Sequence, residues 1–154
     1  MSERLAIFAE GLFAGHHGKT AHGVIRYGTR EVVAVIDSTQ AGRTAVEVVP
    51  FSGRDVPIVA SLREAIDLGA NELLVGVAPT GGKLDPAWRA VLLEAIRAGL
   101  HVEAGLHTQL HEDPQLRRAA TRAGVALRDL RAAPPDLTVP QGPGSRPGSV
   151  RVVH

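Results

Sequence analysis

Five apolar runs in this chain each hand over to a segment crowded with glycine, polar and charged residues, while the return connections are short and plain. The runs cover residues 5–9, 32–36, 73–77, 101–103 and 125–128, and the crowded segments that follow cover 10–20, 37–44, 78–85, 104–113 and 129–135. Val32-Val33-Ala34-Val35-Ile36 and Leu73-Leu74-Val75-Gly76-Val77 lack the alternation of a half-buried strand. Such runs fit strands buried on both faces of a parallel sheet. Residues 21–27, 62–68, 88–98 and 115–123 carry apolar side chains at helical spacing and are too polar elsewhere to be strands. Strand and helix therefore alternate as in βαβ units. The predicted fold is α/β: a doubly wound, mainly parallel sheet with helices on both faces, three layers in all.

The helices carry their own end signals. Gly28, Gly69, Gly99 and Gly124 each stand one step past a helical pattern, where a left-handed residue is wanted and only glycine enters freely. Ser61 with Glu64 predicts a capping box, and Asp85 before Pro86 predicts an N-cap followed by a proline at the first helical position. Right-handed crossovers put every strand-to-helix loop on one edge of the sheet. Open sheets of this kind bind ligands at that edge, where the strand order reverses.

Composition limits the options. A chain of 154 residues has room for one domain with a real core, read here as 1–133, then a proline- and glycine-rich linker at 134–149 and the start of a strand at 150–154. Net charge is +1 with the basic residues scattered, and aromatics make up 3 %, which argues against a nucleic-acid partner and a base-stacking platform. Cysteine is absent, so disulfides, thiol catalysis and thiolate metal ligands are excluded. The N-terminus has no basic segment before an apolar stretch, and no apolar run approaches bilayer length. A cytoplasmic protein without membrane contact is the expectation.

The first loop, with Gly11, Gly15 and Gly18-Lys19-Thr20, looks like a nucleotide motif and satisfies none. Both the phosphate loop of nucleotide triphosphatases and the dinucleotide fingerprint need a glycine five positions before Gly18, and Phe13 stands there. Asp37 ends the second strand where a ribose-binding carboxylate belongs, but it equally fits a turn cap with Ser38 and Thr39. Anion binding through Lys19, Thr20 and the amides opening a helix is favoured over NAD, which stays as the alternative. Pro79-Thr80-Gly81-Gly82-Lys83 is a second anion candidate, or simply a tight loop before the next helix. His107 and His111 are four apart and would share a helical face, yet their order does not match His-Glu-x-x-His and no third ligand is evident, so no metal is assigned. His16 and His17 read as solvated loop residues unless the loop closes on an anion.

Several linked segments resemble one family. They are Gly18-Lys19-Thr20-Ala21-His22-Gly23-Val24-Ile25-Arg26-Tyr27, Val35-Ile36-Asp37-Ser38-Thr39-Gln40-Ala41-Gly42-Arg43, Val75-Gly76-Val77-Ala78-Pro79-Thr80-Gly81-Gly82, Gly105-Leu106-His107, and Asp129-Leu130-Arg131 with Pro134-Pro135. Together they look like the N-terminal part of a bacterial and archaeal family long described as of unknown function, some members of which are D-glutamate N-acetyltransferases. The resemblance implies a Rossmann-like N-terminal domain, a C-terminal P-loop domain beyond this chain, and acetyl-coenzyme A as cofactor. By position it places a small acidic or nucleotide-like ligand at Lys19, Thr20, Arg26, Asp37, Ser38, Gly81, Gly82 and His107, to which the loop chemistry adds Gly18 and Lys83. His107 is the candidate catalytic base, because a neutral imidazole takes a proton from an amine near physiological pH. The chain would then be a binding or assembly module, incomplete as an enzyme by itself, and a homo-oligomer is compatible. Arg131 is separated from Pro134 by two residues, wider than the family's arrangement.

Overall fold

The computed structural model describes residues 2–131. The linker at 134–149 and the strand start at 150–154 lie outside the described residues.

Six parallel strands form one sheet: β1 (Arg4–Phe8), β2 (Glu31–Ile36), β3 (Ile58–Val59), β4 (Glu72–Val75), β5 (His101–Ala104) and β6 (Leu127–Asp129). Their order is β3-β2-β1-β4-β5-β6, so the winding reverses between β1 and β4. The helices are α1 (Lys19–Tyr27), the single turn α2 (Ala45–Val48), α3 (Leu62–Asp67), α4 (Pro86–Arg97) and α5 (Pro114–Ala123).

Side-chain parity on β1 shows both faces covered. Phe8 points to one face, where its ring meets Trp88 of α4 edge-on with centroids 5.6 Å apart. Ile7 points to the other, where a Cβ on Gly76 would strike both Ile7 and Ala21 of α1. Gly76 thus lets α1 approach the sheet closely at Ala21. Leu5, Ile7, Phe8, Ile36, Leu73, Leu74, Leu92 and Ile96 are fully buried between these layers. Each contributes roughly 1.5–3 kcal/mol relative to an exposed side chain.

Several sequence expectations need correction. The pattern predicts nothing between Thr44 and Ser61, yet α2, a 3-10 turn (Pro50–Ser52) and β3 lie there. β3 is only two residues long and follows Pro57, which leaves no period to read. Thr44 and Glu47 make the complete reciprocal capping box, whereas Glu64 accepts from the amide of Ala60 and not from that of Ser61. Gly69, Gly99 and Gly124 are left-handed as expected, but Gly28 is extended, with φ −68°. Gly28 is glycine for a different reason: a Cβ there would fall on the carbonyl oxygen of Val24.

The amino edge of the sheet is held by charge. Glu72, 3 % exposed, pairs with Arg30 at 3.3 Å and with Arg128 at 2.9 Å. Arg30 also pairs with Glu103 at 2.5 Å.

Candidate ligand-binding edge

Asp37 organises the first loop. It is fully buried at the end of β2, and its Oδ1 accepts from the amides of Gly11 (3.0 Å) and Thr39 (3.0 Å) and from the Thr39 hydroxyl (2.6 Å). Its Oδ2 accepts from the amide of Phe13 at 3.2 Å. Loop amides that a phosphate-binding loop turns outward are here turned inward onto a carboxylate of the chain itself. This explains why the glycine motif fails at Phe13, whose buried ring packs edge-on against His22, and corrects the ribose reading of Asp37. No oxygen of Asp37 faces outward for a sugar hydroxyl.

The opening of α1 is similarly filled. The Ala21 amide donates to the carbonyl of Gly76, and the Lys19 amide to that of His16. Gly18 is buried with no space for a Cβ between the carbonyls of Leu12 and Phe13, while the side chains of Lys19 and Thr20 are exposed. The loop continues into a two-way link with the end of β4: the Ala78 amide donates to His17, and His17 Nδ1 donates to the Ala78 carbonyl at 2.9 Å.

On the other side of β4, Gly81 and Gly82 are both left-handed, with φ 81° and 62°. Gly82 lets the ring of His107 lie directly against the backbone, where a Cβ would overlap the ring, and the His107 amide donates to the Gly82 carbonyl at 3.2 Å. Arg131 Nη1 stands 3.4 Å from both ring nitrogens of His107. Lys83 is exposed at the mouth of a 250 Å³ hollow that it shares with Arg89, Thr108, Gln109 and Asp113. Neither Lys19, Lys83 nor Arg131 has a carboxylate partner among the described residues.

Two more carboxylates fix the far loops. Asp113 caps α5 through the amides of Gln115 and Leu116 and receives Arg89 of α4 at 2.6 Å. Arg89, assisted by those amides, lowers the Asp113 carboxyl to about 2. Asp129 at the end of β6 accepts from the amides of Leu110 (2.5 Å) and His111 (3.3 Å) and from the His111 ring. His111 therefore sits on a 3-10 turn (Leu110–Glu112) tied to Asp129, while His107 precedes that turn. The expected shared helical face of the two histidines is absent.

The predicted site residues divide into three groups. Gly18 ends the loop after β1, Lys19 and Thr20 open α1 directly behind it, and Gly81, Gly82, Lys83 and His107 lie on the loops that follow β4 and β5; these segments meet through His17, Ala78 and Gly82. Asp37 and Ser38 follow β2; Asp37 is turned inward, and Ser38 donates its amide at 2.9 Å and its hydroxyl to Glu10. Arg26, in the last turn of α1, donates to the carbonyl of Phe51 at 2.6 Å and does not join the others. Sequence reasoning missed Glu10 and Trp88 as residues of an apolar pocket between α3 and α4. Glu10, directly after an apolar run, was the available signal.

A doubly wound parallel sheet with its polar loops gathered at the switch-point edge defines a Rossmann-like fold. The chain belongs to the family called Domain of unknown function (DUF1611_N), a Rossmann-like domain, which it matches over residues 38–133. It is similar to a crystal structure of a DUF1611 family protein from Anabaena variabilis, with 34 % identity and a TM-score of 0.82 over 90 % of this chain and 40 % of that one. It is also 39 % identical over 71 residues to a D-glutamate N-acetyltransferase of Tritonibacter scottomollicae, 46 % of this chain and 21 % of that protein. The chain thus spans less than half the length of these relatives. A biliverdin reductase from Synechocystis, crystallised with biliverdin and NADP+, shares the fold at 18 % identity and a TM-score of 0.52 over 82 % of this chain and 37 % of that one. No helix among the described residues is long and apolar enough to cross a membrane.

Proposed function

We propose that this chain is the amino-acid-binding Rossmann-like part of a D-glutamate N-acetyltransferase-like protein, and that an acidic small molecule sits on the loops after β1, β4 and β5. The observation that carries this reading is the stacking of the His107 ring on the left-handed Gly82, with Lys83 next in sequence, Arg131 from the segment after β6 standing 3.4 Å from the ring nitrogens, and no carboxylate partner for either cation among the described residues. Two carboxylates of a substrate such as D-glutamate suit separate cations on adjoining loops.

In the full reaction His107 takes a proton from the substrate ammonium. Bound acetyl-coenzyme A would supply the activated acetyl group for the freed amine, with the thiolate as leaving group taking the second amine proton. Acetyl-coenzyme A and the P-loop domain that would hold it come from the family likeness, so the present chain serves the amino acid.

Calorimetric titration of the 154-residue chain with D-glutamate tests the reading. Saturable binding weakened about tenfold or more by Lys83→Ala or His107→Ala, the cost of losing one charge-assisted contact, is expected. Absence of heat, or binding unchanged in both variants, refutes it.

A further inference from the structure

A second pocket opens at the same edge of the sheet and shares no residue with the loops around His107. It is a half-open groove of about 360 Å³ between the first turn of α3 and α4, lined by Phe8, Ile36, Trp88 and Val91. Cavities of roughly 300–1,000 Å³ are the usual size for small ligands. Its rim carries Glu10 and Ser38, and Glu94 lies further along α4. The one cation in the lining, Arg63, is paired with Asp67 at 3.2 Å. The pocket is therefore apolar inside and acidic at the mouth, which suits an uncharged or cationic ligand and opposes a phosphate.

Glu10 is half-buried and already oriented. The Ser38 amide occupies one lone pair of Oε2, at 2.9 Å, and the Ser38 hydroxyl occupies one of Oε1. An ionised carboxylate has about four acceptor positions, so one remains on each oxygen. Two neighbouring acceptors of this kind match the two hydroxyls of a vicinal diol, and the indole of Trp88 offers an aromatic wall for a flat ring.

We propose that this pocket binds a purine nucleoside, with the base against Trp88 and Val91 and the ribose 2′- and 3′-hydroxyls donating to Glu10. Glu10 thus takes the part that sequence position assigns to Asp37. The ligand is a nucleoside and not a dinucleotide, because the amides of Gly11 and Phe13 that would receive a pyrophosphate are committed to Asp37.

Trp88 is the only tryptophan in the chain, so its fluorescence reads the pocket directly. Titration with adenosine is expected to give a saturable change in emission. 2′-Deoxyadenosine and the Glu10→Gln variant are each expected to bind about tenfold more weakly, the loss of one good hydrogen bond to a charged acceptor. Adenosine 3′-phosphate is expected to bind more weakly than adenosine, and NAD+ no more tightly. The Ser38→Ala variant keeps the Glu10 charge and the amide bond to its Oε2 but removes the hydroxyl bond to Oε1, and a smaller loss is expected from it. The proposal is overturned by an unsaturable response up to roughly 1 mM adenosine, by equal affinity in wild type and a folded Glu10→Gln variant, or by NAD+ binding tenfold more tightly than adenosine.

Discussion

Replacing Asp37 tests whether its carboxylate is the internal anion of the first loop. In Asp37→Ala the buried Phe13 amide and the partly buried Gly11 amide lose their acceptor, and Thr39 loses both its amide and hydroxyl partners. An orphaned buried donor costs about 1–3 kcal/mol, so the two loop amides alone cost about 3 kcal/mol, with the more exposed Thr39 adding little. Asp37→Asn keeps one acceptor oxygen but presents an amide group to the Phe13 donor, at a cost of about 2 kcal/mol. For a domain whose total stability is about 5–15 kcal/mol these are large fractions. With a urea slope of about 2 kcal/mol/M, the unfolding midpoint falls by about 1.5 M in the alanine variant and about 1 M in the asparagine variant. Equilibrium urea unfolding followed by far-ultraviolet circular dichroism measures both. A midpoint for Asp37→Ala within about 0.3 M of wild type would show that the carboxylate does not hold this loop.

Gly82→Ala forces a Cβ onto the ring of His107 at a left-handed position; a loss of about 1–2 kcal/mol in thermal unfolding is expected, together with weaker D-glutamate binding. Glu72→Gln leaves Arg30 and Arg128 facing each other without their shared carboxylate, and about 2 kcal/mol is lost in the same assay, less than for a fully buried pair because both arginines reach solvent. Asp113 has its folded pKa depressed to about 2 from 3.8, so its contribution is complete above 3.8 and disappears as pH falls through 2. Screening at this partly exposed pair reduces it to about 1 kcal/mol. Urea unfolding of wild type and Asp113→Asn at pH 5 and near pH 2 should show the gap between them narrowing at the lower pH, and a constant gap would remove Arg89 as the cause.

The layers were legible because β2 and β4 are runs of Val, Leu and Ile with no alternation, and because Asp85-Pro86 and Gly124 mark helix ends by local rules alone. β3 was illegible: two residues carry no periodicity, and their place beside β2 is set by the Thr44–Pro57 bridge and the Val35–Ile58 pairing, both contacts between distant parts of the chain. Among the candidate site residues, the packing of His107 on Gly82 joins two loops that the sequence marks separately, one by its glycine pair and one by its histidine. For Asp37 the sequence leaves a ribose carboxylate and a turn cap side by side, and the structure shows the cap on Thr39. A carboxylate at the end of β2 has the same sequence position whether it turns outward to a sugar or inward to Gly11 and Phe13, and only the burial of Phe13 decides between them. Arg26 is placed with the loops by the family resemblance, whereas two turns of helix separate it from Lys19 and its guanidinium meets the Phe51 carbonyl.

A negative group built into the chain cannot be diluted away. Where comparable loops take their form from a bound phosphate, the loop around Asp37 closes on an acceptor that is part of the chain, so its form should not follow any metabolite level. Occupancy at the neighbouring Glu10 pocket should therefore leave amide-exchange rates of residues 11–13 almost untouched.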